Sequence, residues 1–168
     1  MLSDLVLRGV PIGEIAERAA QVEVLGFDAV GVTETNGNPF LAAAQAAQGT
    51  SRVRVATAIA LAFTRTPMDV AYTAWDLQAL CGGRFALGLG SQVRAHVERR
   101  YGALWSHPAA RMREYVLALH AIWDAWETGG ELDFRGEMYS HTLMPPNSAR
   151  RRALTRARPS CSLGCASA

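Results

Sequence analysis

No stretch of the 168 residues is apolar over anything near the roughly 20 positions that a membrane-spanning helix requires, so no such span is expected. Cysteine is scarce: of the three, one lies mid-chain and two near the end, which does not make a disulfide framework. Cys161 and Cys165 have three residues between them and no histidine or further cysteine nearby, so a zinc site is not expected there. His96, His107, His120 and His141 are spread along the chain and form no metal set. Lysine is absent altogether, a feature that fits GC-rich coding better than any physical demand. The opening MLSDLVLRGV has an acid where a signal peptide carries its basic region and lacks a long apolar core, so a cytoplasmic location is expected.

What is present, 49% hydrophobic and 19% charged residues, is the composition of a soluble globular domain with a real core. The net charge of +2 is unevenly distributed. Residues 1–146 carry twelve arginines against fifteen acids, a net of −3, whereas residues 147–168 carry five arginines and no acid. The reading is therefore a domain over 1–146 and a basic, disordered tail over 147–168. Nothing aromatic is interleaved with those arginines, so a nucleic-acid arm is not expected.

Along the chain one phrase repeats. Residues 5–8 make a weak first strand, and Pro11 opens a helix with Ile12, Ile15, Ala16, Ala19 and Val22 at helical spacing. Gly26 stops it. FDAVGV (27–32) reads as a strand buried on both faces, and Asn38 with Pro39 as cap and first turn of a second helix. Residues 53–63 (VRVATAIALAF) read as a third strand, and Thr66, Pro67 and Asp69 start a third helix. Gly82 and Gly83 break that helix before a fourth strand at 84–89. Strand, loop and helix in alternation imply right-handed βαβ units and a parallel sheet. Beyond come a short helical stretch (94–101) and a long helix with Met112, Tyr115, Leu119, Ile122, Trp123 and Trp126 on one face. LDFRGEMY (132–139) reads as a small hairpin or edge strand.

The chain is organised around LCGGRFALGLGSQ (80–92), where a glycine pair, an apolar strand and a small-residue turn meet. That turn lies at the carboxyl end of a parallel strand, where α/β proteins place ligands. Together with GFDAVGVTE (26–34), SRVRVATAIALAF–TRTP (51–67), HPAARMREYVLALHAIW (107–123) and LDFRGEMY, the run from Asp76 to Ser91 resembles the luciferase-like superfamily. These are flavin- and deazaflavin-dependent oxidoreductases built on a (β/α)8 TIM barrel, and the likeness is to the branch that uses coenzyme F-420. The implied fold is the N-terminal half of such a barrel, about four parallel strands with their helices. A whole barrel needs eight strands and about 250 residues. The resemblance runs to Pro146, and the tail reads as a foreign or frame-shifted end on a truncated chain.

The resemblance implies a flat ring over the carboxyl ends of the strands. Glu34 corresponds to an acid carried by many deazaflavin members and is the candidate catalytic residue. Thr35 and Asn36 stand where relatives have a ring-contacting histidine, so no histidine base carries over. Ala58 and Ile59 match a non-proline cis peptide that supports the ring's back face. Gly90, Ser91 and Gln92 match the turn along its edge, with Gly90 leaving room for the ring. Arg65 reads as a solvated loop arginine and Cys81 as a packing residue. The implied reaction is hydride transfer between coenzyme F-420 and a small organic substrate. The alternatives are an FMN-dependent monooxygenase and a non-catalytic half-barrel remnant. The partners expected are a small-molecule substrate and optionally a second copy in a homodimer, with no nucleic acid, membrane or metal.

Overall fold

The computed structural model describes residues 3–145, 148 and 159–163. Five parallel strands form its axis: β1 (Asp4–Leu7), β2 (Ala29–Val32), β3 (Arg54–Thr57), β5 (Phe85–Gly90) and β8 (Ser160–Leu163). A two-residue strand, β4 (Ala60–Leu61), also pairs with β5. Helices α1 (Ile15–Val24, entered through a 3-10 turn at Ile12–Glu14), α2 (Pro39–Gly49) and α3 (Pro67–Leu80) form the connections. After β5 come α4 (Arg94–Arg99), the long α5 (Pro108–Thr128) and a hairpin of β6 (Phe134–Arg135) and β7 (Ser140–His141). The order is that of one arc of a (β/α)8 barrel.

The helix ends follow local chemistry. Asn38 Oδ1 accepts from the Phe40 and Leu41 amides ahead of Pro39, and Thr66 Oγ1 accepts from Asp69 ahead of Pro67. Gly129, at a φ of 69°, ends α5 in the left-handed conformation that suits glycine.

Two rows of residues cross the sheet in register. Leu5, Val30, Val55 and Phe85 form one row and face the helices. Val6, Gly31, Ala56 and Ala86 form the other, on the opposite face. Both rows are apolar, but Val6 is 47% exposed while Val30 and Val55 are fully buried, so the deeper core is on the helix side. There α3 and α5 seal the core with Trp75, Leu119, Ile122 and Trp123, and the Trp123 indole N–H donates to the Ala71 carbonyl at 3.3 Å. Alanines on α2 let it lie close to α1, and Gly49 comes so near the Ala16 carbonyl that a β-carbon there has no room.

Two expectations need correction. The single strand over 53–63 is interrupted. Ala56 pairs with Ala86 and Ala60 with Leu89, so four residue steps on one strand oppose three on β5, which is a β-bulge at Ala58–Ile59. The arginine-rich tail is also not wholly disordered. Ser160–Leu163 adds a strand to the free edge of β5, with Leu87 opposite Cys161, and Pro159 is buried. Composition hides this strand, because the demand it meets, the unpaired backbone of β5, lies about seventy residues away in the chain. Residues 147, 149–158 and 164–168, on which the rest of the tail reading falls, lie outside the described residues. No helix among the described residues is long and apolar enough to cross a membrane.

Candidate active site

Because the strands are parallel, the segments following β2, the β3–β4 bulge and β5 all emerge on one rim. The Ala58–Ile59 peptide bond is cis, and both residues are half-buried there. Two residues frame the bulge from β5. The Thr57 hydroxyl donates to the Gly88 carbonyl at 2.8 Å and accepts the Gly88 amide at 2.9 Å, so a side chain continues the ladder where the backbone leaves it. Gly90 lies against Ile59: a β-carbon on Gly90 would fall 2.5 Å from Ile59 Cδ1. Gly31 on β2 plays a similar part for Ala58, with 3.0 Å between a would-be β-carbon and the Ala58 Cβ.

Glu34 is held in place. Its Oε2 accepts the Leu61 amide at 2.8 Å, and its two oxygens take a bidentate pair from Arg65 at 2.8 and 2.9 Å. Arg65 Nη1 also donates to the Leu61 carbonyl at 3.2 Å, and the guanidinium sits 5.1 Å from the Phe40 ring centroid. The side chains are 6% and 17% exposed, so Arg65 is not the solvated loop arginine that its local sequence suggested. A near-buried acid needs a cation, but only the fold shows that Glu34 is buried, so no local signal in the sequence pairs the two.

The structure thus brings Glu34, Ala58, Ile59 and Gly90 together, with Ser91 and Gln92 following directly on the same rim. The Ser91 hydroxyl donates to the Gln92 carbonyl at 3.2 Å. Gln92 has a φ of 64° and its Oε1 accepts the Val93 amide at 2.9 Å. Thr35 and Asn36 are exposed on the loop beyond Glu34. The Thr35 hydroxyl donates to Thr33 Oγ1 and its carbonyl accepts from Arg100. Asn36 instead borders a cavity of about 400 Å³ on the helix side of the rim, whose walls include Leu7, Val10, Ile12 and Leu41. Thr57 and Gly31 are the rim residues that pattern reading missed, whereas Gly88 belongs to the small-residue turn it singles out and Arg65 is a residue it assigns to solvent. One expected role shifts as well: the space beside Gly90 is taken by Ile59, so its lack of a side chain serves the bulge. No group of three metal-ligating side chains occurs among the described residues.

Comparison with known proteins gives these features a context. A family model described as luciferase-like monooxygenase matches residues 3–167. Rv1360 of Mycobacterium tuberculosis, an uncharacterised protein, is 48% identical over 135 residues, covering 80% of this chain and 40% of its own. A second protein of that organism, named as a putative coenzyme F-420-dependent oxidoreductase, is 38% identical over 109 residues, covering 64% of this chain and 31% of its own. Among solved structures, the oxygenating constituent of 3,6-diketocamphane monooxygenase from Pseudomonas putida, in complex with FMN, superposes with a TM-score of 0.77 at 17% identity. That match covers 97% of this chain and 51% of the other, so the chain spans about half the length of the proteins it resembles, or less.

Proposed function

The chain belongs to the luciferase-like monooxygenase family, and from that membership we propose that its rim holds the flat ring of coenzyme F-420 for hydride transfer to or from a small organic substrate. The observation that carries the proposal is the meeting of the Ala58–Ile59 bulge and the Gly90–Gln92 turn beside the Glu34 loop. The F-420 assignment draws on the relative that bears that coenzyme in its name.

The residues present suit a flat ring. Ala58 and Ile59 are half-buried and apolar, giving a wall for one ring face, and Gly88 and Gly90 keep β5 from crowding that wall. Ser91 and Gln92 are half-buried polar residues at the ring's edge, where a hydroxyl and backbone N–H groups orient its polar rim. The bound coenzyme supplies the hydride chemistry at its C5 position. The chain's own part is placement and exclusion of water, achieved by a wall that is packed in advance rather than assembled on binding.

The FMN-bound structure, at a TM-score of 0.77, supports a second reading in which the same rim holds FMN and the whole protein is a monooxygenase. Titration of the purified chain with F-420 and with FMN, followed by ring fluorescence, separates the two. Tighter binding of F-420 is expected. Tighter FMN binding moves the assignment to the monooxygenases, and binding of neither leaves a non-catalytic half-barrel.

A further inference from the structure

We propose that Glu34 is a positioning residue: its carboxylate stands in for a strand neighbour that the bulge removes and so holds the rim backbone against which the ring would rest. The idea rests on the ring site proposed above. The β2–β3 ladder runs to the Ala58 amide, which donates to the Val32 carbonyl at 2.7 Å. The bulge then carries the chain off that path, and among the described residues β4 pairs on its β5 side only, through contacts such as the Ala62 amide to the Gly90 carbonyl at 2.9 Å. On the other side of β4 the Leu61 amide faces no strand backbone among the described residues. Glu34, two residues past the end of β2, reaches across and accepts it at 2.8 Å.

Arg65 completes the arrangement. Its guanidinium takes both Glu34 oxygens and returns a bond to the Leu61 carbonyl, so both polar groups of the Leu61 backbone are tied to one ion pair. The Phe40 ring under the guanidinium links the pair to the start of α2. Leu61 is two residues beyond Ile59, and Gly90, against which Ile59 packs, is its partner in β5. Loosening the Leu61 backbone therefore loosens the Ile59 wall. With both oxygens engaged, Glu34 acts through Leu61 and Arg65.

The test compares the wild-type chain, Glu34→Met and the double variant Glu34→Met/Arg65→Met. Three quantities are read in each: the thermal midpoint, amide exchange at Leu61 relative to Val55, and affinity for F-420 and FMN. In Glu34→Met the Leu61 amide loses protection, and affinity for the preferred ring falls about tenfold, the scale on which loss of a supporting contact is felt. The single variant also strands a near-buried arginine, so a lower midpoint alone proves nothing. The double variant removes that stranded charge, and replacement of a whole buried pair by apolar groups is often neutral for stability. It is expected to recover the midpoint but neither Leu61 protection nor ring affinity. Recovery of affinity together with the midpoint, or unchanged Leu61 exchange in Glu34→Met, overturns the proposal. If the wild-type chain binds neither ring, the ring site fails, while the Leu61 exchange ratio still decides whether Glu34 holds the rim.

Discussion

Ile59 occupies the volume that any side chain on Gly90 would need, with Cδ1 2.5 Å from the position of a β-carbon there. The bulge and the glycine are therefore one packing unit, shared between the third and fourth arms of the barrel. A change at either residue is felt at the other.

For Gly90→Ala the expected result is a loss of about 1–3 kcal/mol, the usual cost of overpacking a closed site. Ile59→Ala in the same chain should return part of that loss by vacating the contested space. Denaturant titration of the two single variants and the double gives the coupling. Simple additivity would mean that the two side chains do not compete.

Acid sensitivity is expected from Glu23. Burial opposes the charged form of this carboxyl, but it accepts the backbone amides of Val53, Arg52 and Ser51 and the Ser51 hydroxyl, which together hold its pKa down at about 2. A lowered pKa in the folded state means stability that is fully present above the ordinary value near 4.5 and is lost as pH falls toward 2. Glu23→Gln should be less stable at neutral pH and should lack this part of the acid dependence. Parallel stability curves for the two proteins between those pH values would refute the assignment.

Thiol chemistry should be silent in the folded chain at the two described cysteines. Cys81 is almost fully buried, and burial pushes its pKa up to about 11 despite the nearby Arg84. Burial likewise raises Cys161 to about 11. At pH 8 a maleimide followed by peptide mapping should leave both unlabelled, and denaturant should expose both. Rapid labelling of Cys161 in the folded chain would show that β8 does not stay paired with β5.

The hairpin depends on one carboxylate. Glu114 on α5 accepts the amides of Glu137, Met138 and Tyr139 at 3.1, 2.7 and 2.6 Å. Glu114→Ala should speed exchange at those three amides while leaving the α3–α5 core protected, at a cost of about 1–3 kcal/mol for the donors left without an acceptor. Uniform loss of protection would instead place Glu114 in the global fold.

Much of the architecture was legible in the residues because it is written locally. Pro11, Asn38–Pro39 and Thr66–Pro67 mark helix starts, Gly129 marks a stop, and the apolar runs at 29–32 and 85–90 carry strands buried beneath helices. The rim was legible for the same reason, since parallel strands deliver their following loops to one end.

What the sequence determined alone, then, is the alternation of strands and helices and the end of the sheet on which the loops gather, because periodicity, caps and breakers act within a few residues. The tertiary structure decided the pairing of Glu34 with Arg65, the fit of Ile59 against Gly90 and the addition of Ser160–Leu163 to β5. Each joins residues about thirty or more positions apart, and each answers a demand that no local pattern states. A near-buried acid needs a cation, a bulge needs an empty place opposite it, and a bare strand edge needs backbone to pair with.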